Sequence, residues 1–231
     1  MFVFPHAAFR SIPTFRFMPR NVDGGFSMDR SNKVIGSAAG YWRATISNCS
    51  IHDTTTNRLW QAIDGMLEGR LGSCKVQACE GRRQPVPDGT KTLVTTSPFD
   101  DGASFDDGAE FIDPLIVADV FGSVALGSAT MTIRVRNGSQ ILPGHVFSHW
   151  SIDGGHRIYS VKTVESRGVA GGHQTATVKI KPPARAAMAA GDLLEFDAPL
   201  CDMHLSDDNA MAVAMERGRF GTATLVFDEV P

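Results

Sequence analysis

Residues 99–111 read FDDGASFDDGAEF, a six-residue unit written twice and closed by a third Phe. Aspartates beside glycines are the raw material of a calcium loop, because a hard cation takes carboxylate oxygens that converge on one point. An EF-hand spaces its ligands at alternating positions and ends on a Glu between flanking helices. Here the acids stand as adjacent pairs, which point apart in an extended chain, and no helical pattern flanks them. A hexapeptide β-helix has the same period but needs three or more coils. The spacing favours a third reading. Phe99, Phe105 and Phe111 share one face of an extended segment, so the phrase is expected to be a loop pinned to a β core with its aspartates in water.

The remaining chemistry-bearing residues are scattered. His145 and His149 stand four apart in GHVFSHW, with His156 following, and Cys201 and His204 have zinc-like spacing in CDMH without a second half. Structural histidines are the expectation for the first group, and no metal is expected at either. Cys49, Cys74, Cys79 and Cys201 contain no CxxC pair and are expected to be free, mostly buried thiols. There is no G-x-S-x-G elbow, H-E-x-x-H, phosphate loop or dinucleotide fingerprint. A distant carboxylate pair for glycoside hydrolysis has no spacing signature, and the acids lie chiefly in turn-like contexts. Trp42 and Trp150 are candidates for a sugar-stacking platform, whereas Trp60 reads as core. The expectation is a protein that is not an enzyme, with no catalytic, cofactor-binding or metal-binding residue.

The elements that would position these residues are mostly strands. One segment has a helical period: in TTTNRLWQAIDGMLEGRLG the apolar Leu59, Trp60, Ile63, Met66 and Leu67 form a stripe. It predicts a helix over about 56–70, capped by the threonines at 54–56 and ended at Gly69 or Gly72. Period-two or short β-branched runs predict strands at 41–47, 74–78, 91–96, 130–136, 156–164, 174–180, 192–196 and 221–230. Asn137-Gly138 reads as a hairpin signal, and glycine turns are expected at 153–155 and 168–173. The first twenty residues read as an extended arm or first strand, since Pro5, His6 and Arg10 break any signal-peptide core. The expected class is mainly β, or β-rich α+β.

Charge divides the chain. Residues 1–95 hold twelve Lys and Arg against seven acids, whereas residues 96–133 hold seven acids and no Lys or Arg. With a net charge of −3, nothing draws the chain as a whole to nucleic acid. The longest apolar runs fall short of the roughly 20 residues of a membrane span.

The phrases ILPGHVFSHWSIDGGHRIYSVKTV and TATVKIKPPARAAMAAGDLLEFDAPLCDMHL, after an acidic Asp-Gly segment and an aromatic strand plus helix, resemble distal tail and tail-hub proteins of long-tailed, siphovirus-like phages and gene transfer particles. The resemblance implies a structural virion protein at the tail tip, assembled in the bacterial host cytoplasm. It would be a homo-oligomeric ring, a hexamer or a three-fold ring, joining the tail tube to hub, baseplate and host-recognition proteins. It implies a β-sandwich-like ring domain with one packed helix, formed by 1–96 and 206–231, and an inserted β-barrel or sandwich domain at 97–205. Charge segregation could then supply complementary contacts between subunits. A carbohydrate-binding β module for host-surface attachment is the alternative.

Overall fold

The computed structural model describes residues 1–26, 32–86, 116–213 and 221–230, and side chains outside 22–39. The doubled Asp-Gly phrase and the strand expected at 91–96 lie outside the described residues. Eleven strands and one α-helix are described: β1 (Pro13–Phe26), β2 (Asn32–Ile51), α1 (Thr54–Leu67), β3 (Ser73–Gln77), β4 (Val117–Val120), β5 (Thr130–Asn137), β6 (Val146–Ser151), β7 (Gly155–Ala170), β8 (His173–Lys181), β9 (Leu193–Leu194), β10 (Leu200–Leu205) and β11 (Gly221–Glu229). The protein is mainly β, as its alternating patterns require, with two antiparallel sheets.

Two compact units divide the chain. The first takes Met1–Glu80, Trp150–Ile158 and Ala198–Pro231, and the second Gly81–His149 and Tyr159–Asp197. The boundary expected at 96–97 lies outside the described residues. Near the other, β10 pairs with β3 and β11, so 200–205 belong to the first sheet.

In the first unit the strand order is β1-β2-β11-β10-β3. Trp42, Ala44 and Ile46 alternate into its core, and then the parity changes to Cys49 and Ile51. The cause is a bulge. Ser47 and Asn48 together oppose Thr224, with Asn48 at φ 58°, so one extra residue turns the following side chains inward. Beyond the stretch paired with β11, β1 and β2 pair with each other as far as Phe26 and Asn32, a two-stranded ribbon. The ring of Phe17 covers Gly40, where any Cβ would collide with it, and meets Trp42 edge-on at 5.5 Å.

The helix buries Thr56, Trp60, Ile63 and Leu67, a stripe at i, i+4, i+7 and i+11. Met66, placed on the expected stripe, is exposed. Asp53 rather than a threonine is the N-cap. Its Oδ1 accepts from Thr56 N at 2.6 Å while Thr56 Oγ1 accepts from Asp53 N, a reciprocal capping box. The helix stops at Glu68, which is left-handed (φ 46°) together with Gly69, and Gly72 N then donates to Leu67 O at 2.6 Å. Trp60 packs edge-on to Phe9 at 5.2 Å, and Phe9 in turn meets Phe4, which meets Phe227. Burying such an aromatic stabilises by about 2–3 kcal/mol. Of the first twenty residues, the last eight are the expected first strand, since β1 begins at Pro13; before it, Phe2 and Phe4 bond to both sides of Lys75 on β3 and a short helical turn follows at His6–Phe9, so this part is no free arm.

The second unit has the strand order β6-β7-β8-β5-β4-β9. Ser148 and Glu195 exchange backbone hydrogen bonds of 2.8 and 2.9 Å, which joins the last strand's continuation to the first. The sheet therefore closes on itself as a six-stranded barrel, a form that leaves no open edge. Its interior is filled by Val120, Ile133, Val135, Phe147, Tyr159, Val178 and Phe196, among others. The rings of Phe147 lie 5.6 Å from Tyr159 and 5.3 Å from Phe196. The turn at Gly171-Gly172 (φ 60° and 80°) joins β7 to β8 with Ala170 opposite His173, the two-residue hairpin geometry that needs positive φ twice. The Asn137-Gly138 signal does not make a hairpin. It ends β5, but β5 pairs with β4 and β8, and the next strand, β6, lies beside β7.

Candidate functional site

Several constellations of ionisable groups stand among the described residues; most hold the fold, and one faces outward. The first lies in the first unit. Asp202 on β10 accepts from His156 N at 3.1 Å through Oδ2, and Lys75, its register partner on β3, reaches His156 Nε2 at 3.1 Å. Gly155 (φ 67°) approaches Asp202 so closely that a Cβ would overlap Oδ2. Close by in sequence, the buried Arg157 donates to Gly154 O and Val230 O and lies 3.6 Å from Glu229 Oε1, while Glu229 Oε2 accepts from Trp42 N at 3.0 Å. Trp42 Nε1 donates to Ile158 O at 2.8 Å. These bonds tie Trp150–Ile158 to the sheet, and they use most of the donors that burial would otherwise leave unpaired.

His145 and His149, the pair singled out by spacing, serve the barrel separately. His145 Nδ1 accepts from Leu142 N at 3.2 Å, and burial holds its imidazole below the usual histidine range. His149 Nε2 meets Asp192 Oδ2 at 3.1 Å, an oxygen that also accepts from Ala189 N. Cys201 is buried and His204 half-buried, three apart and so on opposite faces of β10. No group of three or more metal-ligating side chains exists among the described residues. All four cysteines are free. Burial pushes the thiol of Cys49 up to about 11 and that of Cys74 up to about 12, where neither is a nucleophile at neutral pH.

The tryptophans separate sharply. Trp42, named above as a sugar platform, is 2% exposed against Phe15 and Phe17, so it is core. Trp60 is core too, its Nε1 donating to Met211 O. Trp150 is 59% exposed. It lies near the end of β6, just before the turn to β7, where Ile152 is 87% exposed and Asp153 is also exposed. The Asp153 carboxylate has no hydrogen-bond or ion-pair partner among the described residues.

The outward constellation lies on the barrel wall. Asp119 stands on the outer face of β4 yet is fully buried, because Arg134 and Arg136 of β5 close over it. Arg134 Nε donates to Oδ1 at 3.0 Å and its Nη2 to Oδ2. Arg136 repeats the fork at 3.1 and 3.2 Å. Burial pushes the Asp119 carboxyl up, but the hydrogen bonds and charges of the two arginines outweigh it and hold the group below the usual carboxylate range. Each guanidinium is held side-on through Nε and Nη2, which leaves Nη1 turned elsewhere, and two cations answer one anion. Arg134 lies over Phe121, 5.6 Å from the ring centroid. Leu193, the register partner of Asp119 on β9, is 70% exposed. A fixed positive pair is thus flanked by exposed Phe121 and Leu193, which is chemistry suited to a docking surface.

Sequence reasoning missed this site. The signal was the lone Asp119 in the apolar run LIVADVFG, since a carboxylate in a buried strand needs a cationic partner. The match with Arg134 and Arg136 on the next strand was the second half of it.

No family model and no curated protein matches the chain. No helix among the described residues is long and apolar enough to cross a membrane.

Proposed function

We propose that the chain is a structural subunit that assembles into a ring at the distal end of a phage-type tail, connecting the tail tube to hub and host-recognition proteins. The observation that carries the proposal is the architecture: a helix-bearing antiparallel sheet whose chain is interrupted by a closed, solidly packed barrel. That is the arrangement the sequence resemblance implies. Supporting it, the ionisable constellations serve to fix loops and strands, and large apolar side chains are exposed at the β6–β7 turn and on the barrel wall. The function of such a protein is its interfaces. A two-stranded ribbon like the outer part of β1–β2 is marginal alone and gains from a neighbour. Sedimentation and negative-stain imaging of the purified chain, alone and with tail tubes, test the reading. Closed rings or tail-bound particles are expected, and a strictly monomeric species that never co-sediments with tails would overturn it.

A second reading, glycan binding, keeps one observation in its favour, the exposed Trp150. Glycan-array signal abolished by Trp150→Ala would support it, and unchanged signal would end it.

A further inference from the structure

Resting on the ring reading, we infer that the β6–β7 turn of one copy docks on the Arg134–Arg136 surface of a second copy of this chain. The two surfaces answer each other in chemistry. The turn offers an unpaired carboxylate, Asp153, beside exposed Ile152 and Trp150. The barrel wall offers two guanidiniums on a single carboxylate, Asp119, beside exposed Phe121 and Leu193.

Among the described residues, the two guanidiniums and the one carboxylate on the wall sum to a single positive charge. Because Asp119 has already fixed both forks side-on, an incoming carboxylate meets pre-organised donors and orders little that was mobile. The apolar flanks decide between ligand classes. A phosphate or an acidic sugar has no use for Leu193 and finds one face of Phe121 taken by Arg134, whereas a carboxylate that follows exposed Trp150 and Ile152 in the chain brings apolar side chains to cover both. The two surfaces are different patches of one sequence, so their contact is heterologous, the type that closes into rings.

The test uses the full chain with Cys79→Ser, which removes the one native thiol that is not buried. Ile152→Cys and Leu193→Cys variants are prepared separately, mixed and mildly oxidised. A covalent dimer containing one of each is expected at tenfold or more over either variant alone. In parallel, Asp153→Lys, on an exposed turn with no partner to lose, is expected to weaken self-association at least tenfold. Arg136→Glu should do the same, and the two combined should recover to within about threefold of the parent. Rings that form normally, with no mixed dimer and no effect of Asp153→Lys, overturn this contact and leave the ring reading standing. A parent chain that never self-associates overturns both. Inorganic phosphate or a uronic acid that protects Arg136 from modification more strongly than the second copy does also overturns the contact, reassigning the arginines to an anionic ligand.

Discussion

Asp119 shows how much one side chain can decide. A buried carboxylate with two guanidiniums is costly to form but far costlier to break, because removing the anion leaves two cations pressed together. Asp119→Asn keeps shape and loses charge, and is expected to cost about 3 kcal/mol in denaturant unfolding. The carboxyl is held below its ordinary value, so its contribution is fully present above the unfolded pKa of about 3.9 and is lost as pH falls through the lower folded value. The parent should therefore lose stability below about pH 4 more steeply than Asp119→Asn does. His145 acts at milder pH. Its folded pKa is depressed by burial, and Nδ1 is an acceptor for Leu142 N, so the unfolded chain takes the proton first. Stability is present above about pH 6.5 and falls as pH drops toward the folded value. His145→Asn retains an acceptor without titrating, and its melting temperature should be flatter than the parent's between pH 6.5 and 5. Equal slopes would refute that assignment.

At the scale of elements, the hairpin at Gly171-Gly172 isolates a backbone effect. A Cβ added at either glycine meets nothing within 4 Å, so substitution is opposed by φ alone. Gly172→Ala is expected to cost about 1 kcal/mol, and Gly171→Asn, which tolerates the left-handed region, close to nothing. Equal losses at both would mean that side-chain space, not φ, governs the turn. The same turn was legible in the sequence, and so were α1, β3, β5, β7, β8 and β11, because period and turn chemistry are local. What was not legible is pairing. Asn137-Gly138 carries the strongest short-range hairpin signal in the described chain, yet β5 is already bonded on both sides. Four-residue β4 has too few positions to show a period, and its Asp119 stands in an otherwise apolar run whose outward face could not be told from its inward one. Trp42 looked available for a ligand because a pattern shows which face a residue takes and not what covers that face. The outward constellation needed β4, β5 and β9 in register before any of its residues could be associated.

For the whole molecule, the course of the chain sets how stability is shared. It passes between the two compact units at 80–81, 149–150, 158–159 and 197–198, and two of these passages fall inside β6 and β7. A strand common to both units cannot lose its barrel pairing while its remaining residues keep their place unchanged. Unfolding should then be cooperative across both. The chromophores allow a direct reading: in a Trp150→Phe background, which removes the tryptophan carried on barrel strand β6, Trp42 and Trp60 lie buried in the first unit and report on it rather than on the barrel interior. Ile133, in the barrel core, is fully buried, and Ile133→Ala is expected to cost about 3 kcal/mol from lost contacts and the cavity left behind. If the shared strands couple the units, that substitution moves the tryptophan transition in urea by as much as it moves the far-ultraviolet circular dichroism. A tryptophan midpoint that stays at the parental value while circular dichroism splits into two steps would show that β6 and β7 transmit nothing, and that each unit keeps its stability to itself.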